Sequence, residues 1–178
     1  MILLDRFVIV CLLKGETLKF HEKLVEDVCY KYKVKRQKLP AHFTIKAPFE
    51  TNNIEEIEKV IEKFVESKNK EKILIDGFDH FRTDVVFMKV IPSNDALKLH
   101  DDFIDELKKI PWLGWKKHEG KGKTFHCTIV TRIMEDKFNP IWDYVNNYNP
   151  QFNTYFDNIS ILKWQDFRWI TYREYTLK

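Results

Sequence analysis

The chain is predicted to fold as an α+β protein built from two duplicated lobes. Three observations carry this reading. Apolar runs of strand character alternate with amphipathic helical stripes, and the same order of elements recurs after about 80 residues, close to half the chain. The pattern His-x-Thr-Ile also occurs once in each half, at His42-Phe43-Thr44-Ile45 and at His126-Cys127-Thr128-Ile129. The two histidines lie 84 positions apart (126 − 42).

The first half opens with residues 2–13, rich in Ile, Leu and Val. Asp5 and Arg6 interrupt this run, so it reads as a buried strand rather than the apolar core of a leader peptide. Over residues 16–32, Leu18, His21, Leu24, Val25, Val28 and Tyr32 fall on one helical stripe. The basic stretch 31–38 leads to the short run 42–46. Asn52 or Asn53 can then cap a helix bearing Ile54, Ile57, Ile61, Phe64 and Val65 on one face. Residues 72–79 read as a strand.

The second half repeats this grammar. Residues 85–91 form a β-branched strand ending at Pro92, and Ser93 caps a helix with Ala96, Leu97, His100, Phe103, Ile104 and Leu107 on one stripe. A Gly- and Lys-rich stretch, 114–123, precedes the run 126–130. Asn139 and Pro140 suit the cap and first position of a short helix with Ile141, Tyr144 and Val145. A strand over 152–162 closes the unit. The expected organisation is one bilobal domain over 1–178, with repeat halves of roughly 1–81 and 82–165 and an extra C-terminal strand over 166–178.

Composition narrows the function classes. Of 178 residues, 44% are apolar and 32% charged, with a mean hydropathy of −0.43, which excludes both a disordered tail and a membrane bundle. No run approaches the roughly 18 to 20 apolar residues that span a bilayer. Thirty basic residues against 27 acidic leave a net charge of +3, so any nucleic-acid role needs a local cluster of positive charge. Three cysteines without CxxC spacing argue against a disulfide framework or zinc ribbon, and a reduced cytoplasmic setting is expected.

In a strand, residues i and i+2 share a face. Each motif histidine therefore lies beside its threonine, while Phe43, Ile45, Cys127 and Ile129 point to a core. A lone strand histidine is ordinarily structural; one copy per repeat, each after a basic loop, calls for a chemical reason. In-line displacement at a phosphodiester supplies one, since it needs a base for the attacking oxygen and an acid for the leaving one. Imidazole, with an unperturbed pKa of about 6.5, serves either role near neutrality. Threonine hydroxyls can hydrogen-bond the non-bridging phosphate oxygens where charge collects. His42, Thr44, His126 and Thr128 are the candidate catalytic residues. This chemistry demands no metal, and the sequence implies no cofactor.

The arrangement resembles the 2H phosphoesterase superfamily, whose signature is two HxT/S-hydrophobic motifs about half a chain apart. Its LigT-like branch includes 2′-5′ RNA ligases and RNA 2′,3′-cyclic phosphodiesterases. Both tetrapeptides match without departure. The resemblance implies antiparallel sheets facing a central cleft, with helices packed outside. It also implies hydrolysis of a 2′,3′-cyclic phosphate, on an RNA end or small nucleotide, to a 2′-phosphate. Reversible 2′-5′ ligation is a further family activity. By resemblance His126 activates water and His42 protonates the departing 3′ oxygen; the residues alone leave the two roles open.

Other features surround this pair. Lys31, Lys33, Lys35, Arg36 and Lys38 form one basic run, and Lys116, Lys117, Lys121 and Lys123 another; each leads into a motif and suits a phosphate backbone. Lys35 and Lys121 are taken as substrate-binding candidates. Strand parity adds Lys46 and Arg132, four and six residues after their histidines. Phe81, Trp112, Trp115, Trp164 and Phe167 are placed where a base could stack. His21 and His100, on apolar stripes, read as packed structural residues, and Cys127 points away from the motif. No P-loop or GxGxxG is present. The competing readings are a non-catalytic RNA- or nucleotide-binding module, a 2′-5′ oligoadenylate phosphodiesterase, and a protein-interaction domain with incidental motifs. No membrane or protein partner is implied, and the chain is expected to act as a monomer.

Overall fold

A computed structural model describes residues 3–178; Met1 and Ile2, the latter the start of the expected first strand, lie outside the described residues. The elements follow as β1 (Asp5–Leu12), α1 (Gly15–Tyr32), β2 (His42–Thr51), α2 (Ile54–Glu66), β3 (Glu71–Phe81), β4 (Val85–Pro92), α3 (Asn94–Lys108), β5 (His126–Thr131), α4 (Glu135–Val145), β6 (Gln151–Phe156), β7 (Asn158–Gln165) and β8 (Arg168–Thr176). They form two four-stranded antiparallel sheets, ordered β2-β1-β7-β8 and β5-β4-β3-β6.

The repeat is visible in this topology, because β1-α1-β2-α2 corresponds to β4-α3-β5-α4. The closing strands cross over. β3 ends the first half yet pairs with β4, while β7 pairs with β1. Each sheet thus draws on both halves of the chain. The expected single strand over 152–162 is two strands on different sheets, divided at Asp157, whose carbonyl accepts the Leu177 N–H at 2.8 Å. The C-terminal segment is the hairpin partner of β7, and its last residue exchanges backbone hydrogen bonds with Lys68 and Lys70.

Of the four helices, only α3 has a side-chain N-cap hydrogen bond among the described residues. Ser93 accepts the Ala96 N–H at 3.1 Å and caps α3. Asn53 occupies the N-cap of α2 but its side-chain amide turns to Glu56, at 2.9 Å. Pro140 does not begin α4: the helix starts five residues earlier, with Glu135 and Asp136 in its first turn. Those acids complement the helix dipole, and that gain with the burial of Phe138 offsets the backbone hydrogen bond a proline forgoes.

One side of each sheet packs into a shared core. Phe7, Ile9, Cys11, Phe43 and Ile45 from the first sheet meet Ile75, Met88, Cys127 and Ile129 from the second, together with the apolar stripes of the helices. Phe43 and Phe125 stack at 5.0 Å between ring centres where β2 and β5 approach each other. α2 is tied to β8 by its buried Glu58, which accepts from Arg173 at 2.7 Å and from the Tyr175 hydroxyl at 3.4 Å. On its opposite side the first sheet carries a small separate cluster of Val8, Val10 and Leu162, with Leu12, Leu39 and Trp169 against it.

Both motif strands carry a bulge at the same place. Val10 pairs with Thr44 but Ile9 with Lys46, so Ile45 is an extra residue in β2. Phe87 pairs with Thr128 and Val86 with Val130, so Ile129 is the extra residue in β5. A bulge offsets the alternation of faces by one, which moves Lys46 off the His42 face. It shares the core side with Ile45, is only 2% exposed, and its ammonium meets Glu119 at 2.9 Å and lies 5.0 Å from the Trp115 ring centre. Parity therefore fails for Lys46, and its place is structural. Replacing Glu119 by Ala leaves that ammonium buried and unpaired, and is expected to cost about 3–5 kcal/mol in chemical denaturation. Lys46→Met combined with Glu119→Leu should recover much of the loss; an unchanged midpoint for Glu119→Ala would contradict the assignment.

Candidate active site

β2 and β5 are both edge strands, and they face one another where the two sheets meet. His42 pairs with Leu12 and Thr44 with Val10, which puts both on the face away from the main core. His126 pairs with Lys89 and Thr128 with Phe87. The two imidazoles are held alike. His42 donates from Nδ1 to the Pro40 carbonyl at 2.6 Å, and His126 donates from Nδ1 to the Thr124 carbonyl at 3.2 Å. Each acceptor lies two residues before its histidine. An Nδ1–H fixed in this way leaves Nε2 as the reactive nitrogen of the neutral ring. Phe81 and Phe87 pack against His126 at 4.9 and 5.2 Å between ring centres and orient it from the side.

The edges themselves are satisfied reciprocally. Gln37, in the loop before the first motif, donates to the carbonyl of Thr128 in the second, at 2.7 Å. Lys123, in the loop before the second motif, donates to the carbonyl of Thr44 in the first, at 2.8 Å. His21 on α1 adds a second donor to the Thr128 carbonyl at 2.8 Å, from Nε2. His21 and His100 stand at matching places, each six residues into its helix (21 − 15 and 100 − 94). Both are buried, and each has one ring nitrogen with no partner among the described residues, Nδ1 in His21 and Nε2 in His100. The packed structural reading of these two histidines agrees with their burial; the role of His21 in bracing the opposite motif was not legible.

The remaining candidates disperse. Lys35 is exposed on the loop before β2. Lys121 turns away to pair with Asp105 of α3 at 2.6 Å, so Lys123 is the lysine of that run that reaches a motif. Arg132 lies beyond the end of β5 in a left-handed conformation (φ 57°), where strand parity no longer applies. Trp112 and Trp115 lie beside the Lys46–Glu119 pair, not beside the histidines. Gln37 and Phe87 were not singled out by the sequence, and two further residues were missed. Lys89 is the cross-strand neighbour of His126 on the same face, and its signal was a single charge within the apolar run 85–91. Asn158, fully buried, uses its side-chain amide to pair with both the N–H and the C=O of Leu12, each at 2.9 Å, directly beneath the His42 row. Among the described residues no group of three or more His, Cys, Asp or Glu is placed to hold a metal ion.

Burial sets the electrostatics of the site. It pushes the His42 imidazole down to about 4, with His21, His126 and Lys123 adding smaller effects of the same sign. It lowers His126 as well, again helped by Lys123, and brings the Lys123 ammonium down to about 8. Cys127 is raised to about 12 by burial, so its thiol is no nucleophile. His21 and His100 are likewise held below their ordinary value by burial. An unfolded chain protonates all of these histidines near 6.5, whereas folded His42 resists until about 4. The unfolded state therefore binds more protons as pH falls below about 6.5, and stability drops from there downward. The melting temperature is expected to fall steadily from pH 7 to pH 4.5, less steeply in His100→Gln. A flat profile would show that these rings are not buried neutral.

The family model described as the 2′-5′ RNA ligase superfamily matches residues 16–167, a span that includes both motifs. No curated protein matches the sequence significantly. Among solved structures, E. coli LigT complexed with 3′-AMP superimposes with a TM-score of 0.64 at 12% identity over 99% of each chain. The TT0787 protein of Thermus thermophilus gives 0.63 at 12% identity over 97% of each chain. A structure described as a phosphoesterase gives 0.62 at 13% identity over 99% of each chain. At such identities the likeness is one of fold, and it reproduces the pair of antiparallel sheets described above. With most of its length matched by the family model and a His-Thr pair on each facing edge strand, the chain belongs to the 2′-5′ RNA ligase superfamily, within the 2H phosphoesterases.

Proposed function

We propose that this protein is a metal-independent phosphodiesterase that opens a 2′,3′-cyclic phosphate, on an RNA end or a small nucleotide, to a 2′-phosphate. The observation that carries the reading is the matched presentation of His42 and His126, each with Nδ1 bound to the carbonyl two residues back. Such a pair offers two Nε2 atoms for the two proton transfers of one displacement. Water gives a proton to one histidine and attacks phosphorus, the bond from phosphorus to the 3′ oxygen breaks, and the second histidine protonates that oxygen. A 5′-hydroxyl in place of water forms a 2′-5′ linkage by the same step. Thr44 and Thr128 hydrogen-bond the non-bridging oxygens, and Lys89 and Lys123 supply positive charge. The similar structures of E. coli LigT complexed with 3′-AMP and with ATP are consistent with a nucleotide in this cleft.

The resemblance assigns water activation to His126 and proton delivery to His42. Buried His42 is neutral in the open site, so it must gain its proton with the substrate; a phosphate anion in a cleft of low dielectric favours that charge. The productive form carries one proton on the pair. Burial lowers both imidazoles, so protonation of the pair lies on the acid side of 6.5 in the open site.

Turnover of a 2′,3′-cyclic nucleotide should survive EDTA and fall about 10²- to 10⁴-fold in His42→Ala or His126→Ala. The profile of kcat/KM against pH should be bell-shaped, with its optimum on the acid side of 6.5. A substrate with a p-nitrophenolate leaving group needs no acid, so it should restore His42→Ala far more than His126→Ala. Retained turnover in the double variant would reject the reading, and binding of the nucleotide without turnover would favour a non-catalytic module.

A further inference from the structure

The face of the first sheet that carries His42 and Thr44 does not end at the motif. Register places Arg6, Val8, Val10 and Leu12 of β1 on that face, with Ser160, Leu162 and Trp164 of β7 and Trp169 of β8 beyond them. Val8, Val10 and Leu162 are buried there under Leu12, Leu39 and Trp169. At the far end Trp164 and Trp169 meet edge to face at 5.4 Å between ring centres. Lys38 lies over Trp164 at 5.3 Å and Arg6 over Trp169 at 5.7 Å. The β7–β8 turn puts Asp166 and Phe167 in left-handed conformations (φ 51° and 61°) and leaves the Phe167 ring 81% exposed.

Resting on the phosphodiesterase reading, we propose that this end of the sheet is a subsite for single-stranded RNA. Trp164, Trp169 and Phe167 stack its bases, and Arg6 and Lys38 take its phosphates. Three features point to a nucleic acid rather than an apolar partner. Aromatic faces with cations over them match the alternation of bases and phosphates along a single strand. Arg6 lies opposite Glu50 of β2 in register, whereas Lys38 pairs with no acid among the described residues and supplies the unneutralised positive charge of this face. The surface is also continuous with the reacting centre. Lys38 covers Trp164, Leu39 packs in the cluster with Trp169, and the Pro40 carbonyl holds the His42 ring. A single loop thus touches both the aromatic platform and the catalytic imidazole.

The register sets a length requirement. Leu162 pairs with Val8, so Trp164 lies level with Arg6, six residues along β1 from the His42 row, about 20 Å at strand spacing. A mononucleotide at His42 cannot reach that far, whereas an extended strand of several nucleotides can. The protein should therefore prefer an oligonucleotide carrying a terminal cyclic phosphate over the corresponding cyclic mononucleotide.

The test compares kcat/KM for a hexanucleotide ending in a 2′,3′-cyclic phosphate with that for a 2′,3′-cyclic mononucleotide, in wild type, Phe167→Ala and Lys38→Gln. Quenching of tryptophan fluorescence by a hexanucleotide with a plain 3′-hydroxyl is measured alongside. The expected result is a wild-type preference for the hexanucleotide that shrinks roughly fivefold or more in Phe167→Ala, and quenching that weakens as salt rises. Phe167 lies outside the core, so the variant should fold. An unaltered preference in Phe167→Ala, with turnover intact, overturns the subsite and leaves the phosphodiesterase reading standing. Salt-sensitive quenching that Phe167→Ala weakens, without turnover of either substrate, supports the subsite while removing that reading. Binding to vesicles of anionic lipid with no quenching by the hexanucleotide overturns the proposal in favour of a membrane surface.

Discussion

The site depends on two sheet edges that must be left unzipped. β2 and β5 face each other with their outer backbone groups turned to the same gap. Pairing them into one continuous sheet would satisfy those groups and close the cleft. Leaving them without partners would bury polar atoms at a cost of about 1–3 kcal/mol each. The structure takes a third course: Gln37 and Lys123, each from the approach to one motif, donate to the threonine carbonyl of the other. The sheets are thereby held at a fixed spacing, and the threonine hydroxyls remain on the open side. The stacked pair Phe43–Phe125 sets the same spacing from the core side.

The reciprocity follows the repeated order of elements, β1-α1-β2-α2 and β4-α3-β5-α4, and the halves also depart from one another. Both motifs carry a bulge at their isoleucine, and both fix the histidine through the carbonyl two residues back. The halves differ in what else reaches the gap. His21 braces Thr128 from α1, while its counterpart His100 packs its ring against Phe125 at 4.7 Å and contacts Asp101. His42 is nearly sealed and His126 half-buried, so two copies of one tetrapeptide sit in different dielectric surroundings.

Much of this was legible in order and little of it in depth. Helical stripes and β-branched runs located the elements because burial imposes a period of 3.6 or 2 on the chain. Ser93 was recognisable as a cap, and the final segment as an added strand. Lys46 and Arg132 were misplaced for one reason: alternation was extrapolated through a bulge and past a strand end, and neither leaves a mark in the residues themselves. Pro140 was read by its local preference, which the acids at the start of α4 and the burial of Phe138 override. Residues 152–162 looked like a single strand because a change of sheet at Asp157 alters partners without altering composition.

The tetrapeptides alone determined that each histidine would stand beside its threonine, because the i and i+2 geometry of a strand joins the two before any tertiary contact forms. Local sequence likewise determined that each imidazole would have a carbonyl two residues behind it. Only the tertiary structure decided that closing strands would exchange between halves, that Lys123 and not Lys121 would enter the site, and that Lys46 would be buried against Glu119. Those outcomes rest on which distant segments meet, and the free energy of burying a charge or satisfying an edge carbonyl belongs to the pair of partners rather than to either residue.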